Sequence, residues 1–148
     1  MTAEELWSEF IRETGIPDQE YSAWDFGGEP DALAQLVLDG IKTATASAFP
    51  LYAIEDEELP KVGEYSVILD SRDRAVCVIR TTRVYTVPFS LVTKEHAYKE
   101  GEGDRSLNYW RQVHRVFFAE CMQEVGAEFT EDMPVVCEEF ELVYKQAR

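Results

Sequence analysis

From Ala75 to Val87 the chain reads AVCVIRTTRVYTV, rich in β-branched residues and unbroken by glycine or proline until Pro88. Such residues lose rotamer freedom in a helix and pack well on a pleated surface, so this run predicts a long strand. Tyr65 to Asp70 reads as a second strand, and Ser71-Arg72-Asp73-Arg74 is a tight connection between the two. The pair predicts an antiparallel hairpin. A hairpin alone is marginal in water, so the remaining chain must add strands and cover a face. Val135 to Lys145 supplies another strand, alternating Phe140, Leu142 and Tyr144 against Glu139, Glu141 and Lys145 in a half-buried pattern.

The helices announce themselves by their caps. Thr2 and Glu5 form a capping-box pair ahead of Leu6, Trp7, Phe10 and Ile11, and Gly15 with Pro17 closes that helix. Pro30 suits the first turn of a second helix carrying Leu33, Leu36 and Val37, which Gly40 ends. Residues 18–30 between them read as an aromatic, turn-rich loop, and Phe49 to Pro60 as a linker with a solvated Glu55-Asp56-Glu57-Glu58 run. A short helix is expected over 91–98. Ser106 caps the longest helix, with Leu107, Trp110, His114, Phe117 and Cys121 on one face and Gly126 at its end. This layout is α+β: a small, mostly antiparallel sheet curling toward a barrel and flanked by helices.

A chain of 148 residues suits one domain with a core of its own. The net charge of −15 argues against general binding of duplex DNA, because neutralising phosphates needs surplus lysine and arginine. A role on nucleic acid must then rest on a local cleft, acting on single-stranded RNA or a nucleoside. The acidic start Met1-Thr2-Ala3-Glu4-Glu5 is unlike a signal peptide, and no run approaches the roughly 18 apolar residues of a membrane span. The expectation is a cytoplasmic protein. Cys77, Cys121 and Cys137 sit in apolar patterns and read as free buried thiols.

Two turns carry the candidate chemistry. In Gly40-Ile41-Lys42-Thr43-Ala44-Thr45-Ala46-Ser47 an amine and hydroxyls follow a helix end. Lys42 either answers the negative end of the helix dipole or, partly shielded, serves as base or electrostatic clamp. Thr43 and Thr45 would point to opposite sides of an extended segment. Thr45 is the favoured hydroxyl, with Ser47 on the same strand face as its substitute. The second turn is Glu100-Gly101-Glu102-Gly103-Asp104. Its carboxylates either cap the long helix or act as acid/base groups or water-mediated ligands of a divalent cation. It is not an EF-hand, since the twelfth position counted from Glu100 is Arg111. Trp24 or Phe26 either packs the loop or forms a stacking wall for a base. His114 is either a satisfied core histidine or a site group. Arg80 and Arg83 are expected on opposite strand faces, so that one lines the cleft.

Taken in order, Gly40-x-Lys42-x-x-Thr45, the Pro60-Lys61-Val62-Gly63 turn, His96-Ala97-x-x-Glu100 with its glycines, and Trp110 with His114 resemble the ASCH domain. The likeness spans about 24–145, leaving 1–23 as an N-terminal helical extension of a single domain, 1–148. It implies a PUA-like β-barrel fold related to RNA-binding modules. In the family's small amidohydrolases, which deacetylate N4-acetylcytidine, the catalytic roles would fall on Lys42, Thr45 and Glu100. Around them the candidate substrate-binding set is Trp24, Phe26, Thr43, Ser47, Arg80, Glu102, Asp104, Trp110 and His114. Another branch, nearer in length, is similar to metal-assisted ribonucleases. It would imply Mn²⁺ or Mg²⁺ held by Glu100, Glu102 and Asp104. A non-catalytic RNA- or nucleotide-binding module is the alternative. Ala46-Ser47 stand where an arginine often follows the motif threonine.

Overall fold

The computed structural model describes residues 1–146; the last two residues of the expected domain lie outside them. The hairpin forms as its composition demands: β3 (Tyr65–Leu69) and β4 (Ala75–Pro88) pair antiparallel, from Tyr65 opposite Arg80 to Leu69 opposite Ala75. Strand β5 (Pro134–Lys145) pairs antiparallel along nearly the whole of β4. Two short strands complete a five-stranded sheet of order β1-β3-β4-β5-β2: β1 (Tyr21–Trp24), parallel to β3, and β2 (Ala44–Ala48), antiparallel to β5. Both edge strands line one cleft without pairing to each other, so the sheet is curled and not closed into a barrel.

Helices cover both faces. Adjacent strand residues point to opposite sides, so Val67 and Val78 meet helix α1 (Ala3–Thr14) while Ile68 and Ile79 meet α2 (Pro30–Leu38). The α1 capping box forms as expected, and the Ala75 N–H donates to the Met1 carbonyl, tying the extension to the hairpin. A third cluster gathers Phe89, Trp110, Phe118, Met122 and Val135 beneath α5 (Leu107–Glu124), the longest helix. No helix among the described residues is long and apolar enough to cross a membrane.

Five expectations need correction. The alternation of Phe140, Leu142 and Tyr144 breaks at the register shift between Val78 and Ile79, so Tyr144 packs with Phe10 of α1 while Phe140 and Leu142 face α2. Residues 18–30 are not all loop, because Tyr21–Trp24 finds an unpaired edge at β3, a partner no local pattern reveals. Phe49 to Pro60 begins with helix α3 (Phe49–Ile54), with Pro50 in its first turn. The buried stripe of α5 is Trp110, His114, Phe118 and Met122; Phe117 and Cys121 lie at its margin and line a cleft. Arg80 and Arg83 share a face, since the register shift between Thr81 and Arg83 places them opposite Glu141 and Glu139.

Candidate functional site

Helix α2 ends with Gly40 at φ 76, and the Ile41 and Lys42 N–H groups both donate back to the Leu36 carbonyl. The chain then runs extended between α4 (Lys94–Glu100) and β5: the Thr43 N–H donates to the Lys99 carbonyl at 2.7 Å, and the Phe140 N–H to the Thr43 carbonyl at 3.0 Å. Gly101 closes α4 at φ 76, so close to Ile41 that a Cβ would meet its carbonyl oxygen at 2.8 Å. Arg105 ties the two turns together, Nε donating to the Tyr98 carbonyl and Nη2 to that of Ile41.

Packed this way, Lys42 and Glu100 meet in the interior. Lys42 is 2% exposed and Glu100 1%. The Lys42 Nζ donates to Glu100 Oε1 at 3.2 Å and to Glu102 Oε2 at 3.2 Å, and stands 5.1 Å from the centre of the Phe26 ring. The other Glu100 oxygen accepts from His96 Nε2 and Trp110 Nε1, each at 2.6 Å. His114 stacks on Trp110, and its Nδ1–H donates to the Trp110 carbonyl, which leaves Nε2 facing Glu100 Oε1 at 3.6 Å.

These contacts set the charges. Burial pushes Glu100 up, but Lys42, His114 and the hydrogen bonds more than offset it and hold the carboxyl well below its ordinary value. For Glu102, burial prevails over Lys42, and the neighbouring Glu100 charge adds to it, so its carboxyl is raised. His114 is pushed down by burial and further up by the Glu100 charge, for a net rise.

The group forms one wall of a cavity of about 280 Å³, lined also by Phe26, Thr45, Tyr109 and Phe117. Thr45 reaches it from β2, while the Thr43 hydroxyl turns the other way and donates to the Lys99 carbonyl. Of the remaining candidates, Phe26, Glu102 and His114 line this cavity, and Trp110 supports it from behind. Trp24 packs edge-on against Phe26 and lines a larger neighbouring cleft, as does Ser47, whose hydroxyl bonds Tyr52. Asp104 lies outside: exposed, it accepts from the Ser106 N–H at the start of α5. Arg80 also lies outside, near Glu141 on the exposed sheet face, for the register reason above. His96 was missing from the candidate set, although its spacing of four from Glu100 on one helix was a usable signal.

Glu100, Glu102 and His114 bring one ligand atom each within 4.8 Å of one another, a donor set that suits a divalent cation. The Lys42 ammonium already stands against both carboxylates, so a resident metal does not fit this arrangement.

A curled, mostly antiparallel sheet with helices on both faces and this site at its open side defines a PUA-like α+β domain. The family model of the ASCH domain matches residues 22–144, and the chain belongs to that family. Protein EF3133 from Enterococcus faecalis V583 is 36% identical, with a TM-score of 0.87 over 95% of this chain and 86% of that one. The ASCH domain from Lactobacillus crispatus JV V101 is 31% identical, with a TM-score of 0.84 over 95% of each chain. The ZmASCH mutant protein from Zymomonas mobilis, at 16% identity and a TM-score of 0.52 over 88% of this chain and 72% of that one, shares the fold alone. No protein of curated function matches the sequence.

Proposed function

We propose that this protein is a hydrolase that cleaves the amide of an N4-acylated cytosine nucleoside, using Lys42, Thr45 and Glu100. One observation carries the reading: a buried ammonium clamped between two carboxylates, at 3.2 Å from each, on the wall of a cavity that a threonine also lines. About 280 Å³ suits the acylated edge of a single base better than a polymer. The protein's net charge of −15 also favours a small substrate over an RNA chain.

In this reading Thr45 holds the attacking water against the acyl carbon. Lys42 faces the oxyanion that forms. Glu100, held ionised, fixes the ammonium and is ill suited to donate a proton. Glu102, raised by burial, takes the proton of the attacking water and returns it to the departing nitrogen. A carbon–oxygen bond forms, the carbon–nitrogen bond breaks, and the products are a carboxylic acid and the free amine.

The test is incubation of purified protein with N4-acetylcytidine, and separately with single-stranded RNA plus Mn²⁺ or Mg²⁺. Release of cytidine and acetate is expected. RNA fragments alone would favour the ribonuclease branch, and binding without turnover the non-catalytic module.

A further inference from the structure

Beside the small cavity lies a larger cleft of about 1070 Å³, and the two share Phe26, Gly27, Thr45, Ala46 and Phe117. Thr45 therefore stands at the neck between them. Opposite Thr45 in the β2–β5 register is Glu138, a cross-strand neighbour with its side chain on the same face.

Glu138 is 8% exposed and lines the larger cleft. Thr81 donates to its Oε1 at 2.7 Å; among the described residues it joins no ion pair, and its other oxygen opens to the cleft rather than being sealed in the core. A buried acid without a cation costs the fold stability, so packing gives no reason for it. Around it Glu57, Glu58 and Glu64 also line the cleft, against Lys61 as the one cationic lining residue among the described residues, itself 3.7 Å from Glu58. The aromatic rings of Trp24 and Tyr52 complete the walls. The compartment thus offers hydrogen-bond acceptors and π-faces, and repels anions.

We infer that this larger cleft holds the leaving half of the substrate, accepts a nucleoside without phosphate, and uses Glu138 to position it. The inference rests on reading the small cavity as the hydrolytic compartment. A carboxylate beside Thr45 accepts a hydrogen bond from the base or ribose of the leaving half, as acidic residues do for ribose hydroxyls in dinucleotide sites. A phosphate brought among these carboxylates meets like charge, with only Lys61, already beside Glu58, to oppose it among the described residues.

Calorimetric titration of the wild-type protein with cytidine and with cytidine 5′-monophosphate tests it, because product binding needs no turnover. Cytidine is expected to bind at least about tenfold more tightly, and the gap to narrow as salt is raised. Glu138→Gln keeps the shape and is expected to weaken cytidine binding by about tenfold, the worth of one hydrogen bond to a charged group. Changing Glu57, Glu58 and Glu64 together to glutamine is expected to strengthen monophosphate binding relative to cytidine binding and so narrow the gap. Equal binding of nucleoside and monophosphate, binding of neither, or no effect of Glu138→Gln in a protein that still unfolds cooperatively would overturn the inference. Preference for cytidine in a protein that hydrolyses no acylcytidine would sink only the hydrolase reading. Turnover without preference would sink only this one.

Discussion

The Lys42 Nζ lies 3.2 Å from Glu100 Oε1 although 58 positions separate the two residues, and both are almost wholly buried. Desolvating two charges is expensive, and the remaining donors on Glu100, from His96 and Trp110, are what make the pair tolerable.

Lys42→Ala is expected to abolish turnover and also to cost about 3–5 kcal/mol of stability, because it strands the Glu100 charge in the interior. The double change Lys42→Met with Glu100→Gln is expected to recover most of that loss and none of the activity. Urea unfolding of the three proteins beside an activity assay decides it; a Lys42→Ala protein as stable as wild type would contradict the buried pair.

Trp110→Phe removes one donor to Glu100 and keeps the stacking partner of His114. A charge-assisted bond in a dry site predicts a loss of about 2 kcal/mol. Denaturant midpoints at unchanged slope would register it.

Thr45→Val replaces a half-buried hydroxyl by a methyl at constant shape. Its expected effect on stability is under about 1 kcal/mol, whereas the rate should fall at least about a hundredfold. Thr45→Ser should retain activity. Comparing kcat with Tm separates a chemical role from a structural one.

Stability should peak on the mildly acidic side. Glu100, depressed in the fold, stabilises fully above about 4.5, and that contribution is lost as pH falls through its folded value. His114, raised above 6.5, stabilises fully below 6.5 and loses this as pH rises through its folded value. Glu138 is raised by burial, with Thr81 opposing and Glu64 adding, so losing its proton on the way up destabilises the fold. Glu138→Gln is therefore expected to gain stability over wild type as pH rises and to match it near and below about pH 4.5. Unfolding midpoints across the pH range test both signs.

Gly101→Ala and Gly15→Ala both place an alanine at positive φ, near 75°. The second meets nothing within 4 Å and is expected to cost about 1 kcal/mol. The first drives a Cβ to 2.8 Å from the Ile41 carbonyl oxygen and pushes apart the turns that carry Lys42 and Glu100. A larger loss of stability, together with lost activity, is expected from thermal unfolding and assay of the two variants.

Much of the architecture was legible in the chain itself. β-Branching along Ala75–Val87, the Thr2–Glu5 capping box and the helix-ending glycines are rules that act within a few residues, so they survive without tertiary context. The alternation along Val135–Lys145 holds from Glu138 to Leu142 and breaks at the register shift that turns Tyr144 toward α1. The same alternation put Glu138 with Phe140 on the inward face, yet an acid there is hard to credit until its surroundings are seen. Strand β1 needed an edge more than forty positions away, as its pairing of Tyr21 with Tyr65 shows, and the shared face of Arg80 and Arg83 needed a register shift between two strands. The candidate site belongs to this second kind. Lys42 and Glu100 are marked in the sequence only as an amine and an acid beside glycines. Whether such groups face water or each other depends on which distant segments exclude the solvent between them, and only the folded chain decides that.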